Sequence, residues 1–399
     1  MAKAIGNTTL PGGSTTTAFS LRTVQTLRLA LGLIVLLGAV IFFIGTSWDI
    51  QWHTFIGRDR TLIPPHIASL VGVTLAGFAA LAEVQVESLW AKRQPLLSRS
   101  STAFAGSFHG TMGAYIAGFG ALDAAIGFPL DSYWHSLYGI DVAIWAPFHV
   151  MIIMGMAIAA LGAAYMLIST ARLAGENQMP AMRRIASIGV SIALATLLCI
   201  MTFLLFDAMR RRGTFTFDGT TMNIYMFLGG MAGMWVIIAA ARALPWRFAA
   251  TGVILLCYLF VVIVALIVPS ITAQLVQSEN LVYLRDPGLN VVTTLEWPLL
   301  TIVAALIVDI TFMVFRRRGE EPGTFNWVLI TLPLIGFIPC MLVSPLIGFN
   351  LITHFWPLGS LLTLLLGLIG IVLGNWFGTR MAISMKQAEQ ATDEQVVAA

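Results

Sequence analysis

Ten apolar runs determine what this chain can fold into, because a helix of about twenty apolar residues spans the hydrocarbon core of a bilayer. The runs cover residues 28–47, 66–88, 104–127, 147–170, 185–206, 223–243, 248–269, 295–315, 325–348 and 355–378. Hydrophobic residues make up 58% of the 399 residues and charged residues only 10%, and the mean hydropathy is +0.87. This composition excludes a set of soluble domains. The sequence therefore predicts an all-α fold, a polytopic transmembrane helical bundle of about ten helices in the lipid bilayer.

The basic residues predict the orientation of the bundle. With the N-terminus in the cytoplasm, sixteen Lys and Arg residues fall in inner segments and six in outer segments, the bias that cytoplasmic loops normally have. The six include Arg210–Arg212, which indicates either a tight outer loop or a miscounted helix. We interpret the first run as a retained signal anchor in an inner or plasma membrane. We expect a mobile cytoplasmic tail over residues 1–25 and another over 381–399.

One motif occurs twice in the first part of the chain. The pattern D-x2-W-H-x3-G-x-D begins at Asp49 and again at Asp131, and the copies close with Pro and His at His66 and His149. Four of the six histidines occupy equivalent places in the two copies. Two helices separate the copies, so we expect both motifs in loops at the outer side, related by an axis along the membrane normal.

This duplication divides the chain into two membrane regions. We expect a duplicated four-helix metal-binding unit over residues 26–175 and a second, six-helix region over 183–380. No connecting segment is longer than roughly 25 residues, and Walker, Rossmann and nucleophile-elbow patterns are absent from the sequence. A soluble cupredoxin, haem or nucleotide-binding domain is therefore excluded. The net charge of +3 mostly reflects inner anchors and gives no case for nucleic-acid binding.

Each motif copy supplies three candidate metal ligands. Asp49 and His53 are four residues apart, so on a helix both project from one face, and His66 at the start of the next helix can complete the set. The second copy offers Asp131, His135 and His149. Two imidazoles and one carboxylate suit copper, zinc or iron and leave positions open for water or substrate. In the alternative interpretation, these side chains cap helices and pair with Arg58 or Arg60.

Further carboxylates lie near the motifs. Asp59 and Asp141 are candidates to accept a hydrogen bond from a ligand imidazole, which orients the ring. Asp123, two helical turns before the second motif, is a candidate for the same role or for a further ligand.

Polar residues elsewhere have more ordinary interpretations. His109 and Glu83 lie at similar depth, and either form a proton path or, as we favour, a structural hydrogen bond between helices. Asp309 lies inside an apolar run and must face a polar interior, with a partner that the sequence does not identify. His354 is interpreted as structural.

The sulfur-containing residues also favour structural roles. Soft thioethers suit Cu(I), but the methionines that follow His149 have helical spacing, which is typical of packing. These are Met151, Met154 and Met156. The cysteines are separated in the sequence and lie in apolar runs, so we expect buried, inert thiols rather than a disulfide framework or a metal site. They are Cys199, Cys257 and Cys340.

Taken together, the motif residues are similar to those of a known family, the C subunit of particulate methane and ammonia monooxygenases. The first copy follows D-x3-H-x12-H within D-x2-W-H-x4-R-D-x4-P-x-H-I. Its residues are Asp49, Trp52, His53, Arg58, Asp59, Pro64, His66 and Ile67. The second copy matches at Asp131, His135 and His149, within the run that begins at Trp145. The resemblance covers residues 28–170.

The resemblance implies that each triplet is a copper site at the outer end of the bundle. It further implies a copper-dependent monooxygenase, or a subunit of one, that oxidises a small apolar substrate with O2, alongside other membrane subunits or further copies. The chain departs from the family at Asp131, where the family has Asn, so the redox behaviour of the second site is open. It also adds six helices beyond residue 170. A carrier, reservoir or assembly factor for copper or zinc, without catalysis, is the alternative function.

Overall fold

The structure is a computed structural model that describes residues 21–57, 62–92, 101–139, 143–212, 214–217, 220–285, 296–333 and 357–387. The helices are α1 (Leu21–Phe55), α2 (Pro64–Ala91), α3 (Met112–Tyr138), α4 (Pro147–Glu176), α5 (Pro180–Arg212), α6 (Tyr225–Ala243), α7 (Ala249–Ser278), α8 (Glu296–Arg317) and α9 (Pro357–Gln387). A further helical segment covers 327–333. Most of each predicted run is helical in its described part, which confirms the all-α bundle. Among the described residues, eight helices are long and apolar enough to cross a membrane.

Two antiparallel hairpins interrupt the helices. Their strands are β1 (Thr102–Phe104) with β2 (Phe108–Gly110), and β3 (Thr214–Phe217) with β4 (Thr220–Asn223). The prediction that the third helix begins near residue 104 is wrong, because the first hairpin occupies that stretch. Thr111 caps α3 instead, accepting a hydrogen bond from the Ala114 N–H at 3.2 Å. Arg210–Arg212 ends α5, and in the described residues the second hairpin, rather than an uncounted helix, lies between α5 and α6.

The two motifs begin inside helices rather than in loops, which corrects the sequence-based placement. α1 has 35 residues and is therefore about 52 Å long, well beyond the roughly 30 Å of a hydrocarbon core. Its last turns continue past the apolar run, and those of α3 do the same. Gly57 and Gly139 follow the two helix ends with φ of +69° and +82°, positive values that glycine adopts without a steric penalty. Pro64 and Pro147 begin α2 and α4 as predicted.

Close glycine contacts join the two helices of each motif copy. A Cβ atom on Gly38 of α1 or Gly72 of α2 would lie 2.6 Å from the carbonyl oxygen of the other glycine. The corresponding distances between Gly120 of α3 and Gly155 of α4 are 2.4 and 2.6 Å. The second pair follows the first by 82 and 83 residues, the same offsets that relate the candidate ligands. The duplication therefore includes the backbone packing as well as the motif.

The helix contacts bring both motifs to one end of the bundle. α1 packs against α2, α2 against α3, α3 against α4, and α4 against α1, so the first four helices close on each other. The motif ends of α1 and α3 therefore lie beside the starts of α2 and α4. Of the later helices, α5 packs against α4, α7 packs against α5 and α8, and α9 packs along α6.

Three buried charged side chains are satisfied between helices. Arg28 of α1 and Glu87 of α2 are fully buried and form a two-pronged ion pair, with Nε–Oε1 and Nη2–Oε2 distances of 2.5 and 2.9 Å. Asp309 of α8 accepts hydrogen bonds from the N–H groups of Ala250 and Thr251, at 3.1 and 2.8 Å, and from the Thr251 hydroxyl. The partner that the sequence did not identify is therefore the first turn of α7, which Asp309 caps.

Glu83 does not pair with His109 in the described part of the chain, so that prediction is wrong. The Glu83 carboxylate accepts hydrogen bonds from the backbone N–H and the hydroxyl of Thr111. His109 lies in β2, and its Nδ1 atom is 3.1 Å from the Ser101 hydroxyl. His109 therefore belongs to the hairpin. A helix that began near residue 104 would have included it.

Two of the three cysteines meet in the core. Cys199 of α5 and Cys257 of α7 are free and fully buried, as predicted, and their Sγ atoms lie 3.0 Å apart. Sequence separation did not indicate this contact. Cys340 and His354 lie outside the described residues.

Candidate metal centre

The first cluster joins the end of α1 to the start of α2. Asp49 and His53 lie one helical turn apart on α1, and His66 lies in the first turn of α2. The Nε2 atoms of His53 and His66 are 3.4 and 3.0 Å from Asp49 Oδ1. The two imidazole centroids are 5.8 Å apart.

The second cluster repeats this arrangement at α3 and α4. The Nε2 atoms of His135 and His149 are each 3.3 Å from a carboxylate oxygen of Asp131. The imidazole centroids are again 5.8 Å apart, and the interplanar angle is 49° against 44° in the first cluster. All six side chains are between 14% and 25% exposed. The structure thus brings together all six predicted ligands, in the two predicted sets.

The distances within both clusters suit ligands of a shared metal ion. Metal–ligand bonds of about 2.0–2.1 Å place neighbouring ligand atoms about 2.9–3.4 Å apart. The observed separations of 3.0–3.4 Å match this range. Oδ1 of Asp49 and Oδ1 of Asp131 are buried and accept no hydrogen bond of acceptable geometry within the described residues. A cation bound between the side chains would satisfy these two oxygens.

Backbone carbonyl groups orient both imidazoles of the second cluster. Nδ1 of His135 is 3.2 Å from the Gly139 oxygen, and Nδ1 of His149 is 2.8 Å from the Ala143 oxygen. A donor bond from Nδ1 leaves Nε2 unprotonated and available as a ligand. This is the role predicted for carboxylates, but Asp59 and Asp141 lie outside the described residues, and their role stays a prediction.

Other predicted neighbours of the ligands lie in different surroundings. Asp123 is partly buried on α3, eight residues before Asp131, which corresponds to about 12 Å along a helix. Its participation stays a prediction. Met156 is fully buried in the core, whereas Met154 is 38% exposed on the surface of α4. These positions support packing and surface roles rather than metal ligation.

The later helices cover the first cluster. The indole N–H of Trp48 donates to the Thr272 hydroxyl of α7 at 3.0 Å, and the Leu284 N–H donates to the Phe55 oxygen at 2.7 Å. Trp52, one residue before His53, is almost fully buried in a small apolar cluster. Its members are Trp52, Ile56 and Ile63, packed against Trp48, Leu275, Val276, Leu281 and Tyr283. We call residues 275–284 the α7 cover.

The second cluster has different neighbours. In the described part of the chain, the ring of Trp134, the equivalent of Trp52, contacts the rings of Tyr138 and Phe148 in its own motif copy. The nearby side chains of Tyr133, Leu137, Tyr138 and Trp145 are between 49% and 70% exposed. The sequence motif is symmetric, but the protein around it is not. Motif comparison could not reveal the α7 cover, because residues 275–284 carry no copy of the motif.

Comparison of the chain with protein-family models, with curated proteins and with solved structures finds no match. Functional interpretation therefore depends on the two clusters themselves.

Proposed function

We propose that this is an integral membrane protein that binds copper at one or both Asp-His-His clusters, similar to the C subunit of particulate methane and ammonia monooxygenases. The observation that carries the proposal is the convergence, in both copies, of two imidazole Nε2 atoms on one carboxylate at 3.0–3.4 Å. Imidazole and carboxylate donors suit Cu(II), with zinc and iron as competing metals. On the orientation that the basic residues predict, both termini are cytoplasmic and the clusters face outward.

The proposed activity is the oxidation of a small apolar substrate with O2. Bound copper would supply the redox chemistry for oxygen activation. The protein's contribution is to hold two rings and a carboxylate on helix ends, with backbone carbonyls behind the rings of His135 and His149. The three-ligand sets leave coordination positions open, and the surrounding bilayer concentrates apolar substrates.

The exposure of the ligands favours a second candidate function. Because each ligand side chain is between 14% and 25% exposed, solution has access to both clusters, as transfer of copper or zinc by a carrier or reservoir requires. Oxygen consumption with a hydrocarbon or ammonia surrogate supports the monooxygenase. Metal flux in proteoliposomes without oxygen consumption supports the carrier.

Metal analysis of the purified protein tests the proposal. Copper should bind, with an electron paramagnetic resonance spectrum of nitrogen and oxygen ligation. The His53→Ala/His66→Ala variant should lose metal at the first cluster, with affinity more than about 100-fold weaker, and retain it at the second. The His135→Ala/His149→Ala variant should show the converse.

The control is His109→Ala, which removes a histidine outside both clusters and should leave the copper content unchanged. Full copper content in a His53→Ala/His135→Ala variant would show that the clusters do not bind metal. Zinc or iron bound in place of copper would preserve the sites but overturn the copper assignment.

A further inference from the structure

A cavity of about 520 Å³ lies at the end of the bundle opposite the metal clusters. It opens between the α4–α5 turn and the α6–α7 turn. One wall is formed by Ala174, Gly175 and Met179, and another by Pro245 and Trp246. The walls are thus largely apolar, although the cavity lies at the helix ends, the level of a membrane–water interface.

Two arginine side chains supply positive charge at this cavity. Arg183 and Arg184, in the first turn and a half of α5, both line it, and its lining includes no acidic residue. The Arg183 side chain lies across Gly175, where a Cβ atom would be 3.4–3.7 Å from its Cδ, Nε and Cζ atoms. Within the described residues neither arginine has an ion pair, unlike Arg172, which lies 3.7 Å from Glu176. The cavity therefore combines two exposed guanidinium groups with an apolar wall.

This combination matches one kind of ligand. Guanidinium groups bind phosphate oxygens with paired hydrogen bonds. Basic pockets between transmembrane helices suit anionic lipid headgroups, and tryptophan is typical of the membrane–water interface. Free phosphate would use the arginines but not the apolar wall beside Trp246, whereas a phospholipid would use both. We propose that this cavity binds the phosphate group of an anionic phospholipid, with an acyl chain along the Pro245–Trp246 wall.

Lipid retention tests the proposal on the full chain purified in detergent. After delipidation and addition of phosphatidylglycerol, native mass spectrometry should show one retained lipid, and phosphatidylcholine should bind more weakly. The Arg183→Gln/Arg184→Gln variant should bind phosphatidylglycerol about thirtyfold more weakly. Gly175→Leu keeps both charges but places a side chain where Arg183 lies, so it should weaken binding as well.

Arg317→Gln/Arg318→Gln is the matched control, because it removes two exposed arginines from the same end of the bundle, outside the cavity. It should retain the lipid. Equal loss of retained phosphatidylglycerol in both double variants would show that only overall charge matters, and would contradict a specific lipid site. Saturable binding of inorganic phosphate with no retained phospholipid would also overturn it, in favour of a soluble ligand. Copper content should be the same in all variants, which separates this test from that of the proposed function.

Discussion

At the scale of single residues, the first four helices contain two kinds of charged group, the partly exposed clusters and one buried ion pair. Asp49 and Asp131 each face two imidazoles at one end of the bundle. Near the other end of α1 and α2, Arg28 and Glu87 neutralise each other away from water. The clusters are partly exposed and suited to exchange with a ligand, whereas the Arg28–Glu87 pair is closed and structural.

Loss of one member of the Arg28–Glu87 pair should be strongly destabilising. Glu87→Ala leaves a buried guanidinium without its carboxylate, and we expect the free energy of unfolding to fall by about 3–5 kcal/mol. Chemical unfolding in mixed micelles, followed by tryptophan fluorescence, measures this change. An Arg28→Leu/Glu87→Leu variant should recover most of the loss, because neither charge is then buried.

The exposed pair of Arg172 and Glu176 provides the comparison. Glu176 is 60% exposed, and Glu176→Ala should change the free energy of unfolding by less than about 1 kcal/mol. If Glu87→Ala were no more destabilising than this, the buried pair would have no special structural role.

At the scale of helices, each metal cluster depends on how closely two helices approach. The ligands of one cluster come from both α1 and α2, and the glycine contact between Gly38 and Gly72 determines the separation of these helices. Gly120 and Gly155 do the same for α3 and α4. The repeat is therefore a helix pair with ligands at its end, and this pair occurs twice.

Adding a single methyl group to one glycine pair should impair one cluster and spare the other. A Cβ on Gly72 would lie 2.6 Å from the Gly38 oxygen and 2.7 Å from the Phe42 nitrogen, both backbone atoms. Overpacking of this kind costs about 1–3 kcal/mol, so Gly72→Ala should weaken metal binding at the first cluster about ten- to hundredfold. Gly155→Ala should do the same at the second cluster. Metal titration of each variant measures this.

Gly252 offers a matched control on α7, because a Cβ there would have nothing within 4 Å. Gly252→Ala should leave both metal affinities unchanged. Equal effects of Gly72→Ala on the two clusters would contradict the independence of the two helix pairs.

At the scale of the whole molecule, the later helices distinguish two clusters that the repeat makes alike. The α7 cover packs over Trp52 beside the first cluster. Around the second cluster, residues such as Tyr133 and Leu137 are more than half exposed. The ligand side chains are similarly exposed in the two clusters, but the α7 cover restrains the helix end that carries Asp49 and His53, so we expect the first cluster to release its metal more slowly than the second.

Truncating the α7 cover should remove this difference. Leu281→Ala/Tyr283→Ala removes two side chains that pack against the Trp52 cluster, and metal loss from the first cluster to a chelator should accelerate about tenfold. Tyr133→Ala/Leu137→Ala makes an equivalent truncation beside the second cluster, where the side chains are exposed, and should have little effect. Unchanged release from the first cluster would show that the α7 cover does not restrict exchange.

The sequence alone predicts the helices of this protein and its candidate metal ligands. The apolar runs predict the helices, because a bilayer leaves the backbone few other ways to satisfy its hydrogen bonds. The motif identifies the six candidate ligands, because residues four apart share a helix face and a proline begins the next helix. The sequence also indicates that the two copies are equivalent, which holds for the ligands.

Only the tertiary structure shows what surrounds these side chains. Hydropathy does not locate the ends of α1 and α3, because a helix can continue into the hydrated interface until a residue such as Gly57 ends it. Pairings over long sequence separations, such as Trp48 with Thr272 or Cys199 with Cys257, depend on which helices become neighbours. The local periodicity of the sequence does not predict which helices become neighbours. The chain's own pattern therefore predicts two equal sites, and the packing of α7 gives them different surroundings.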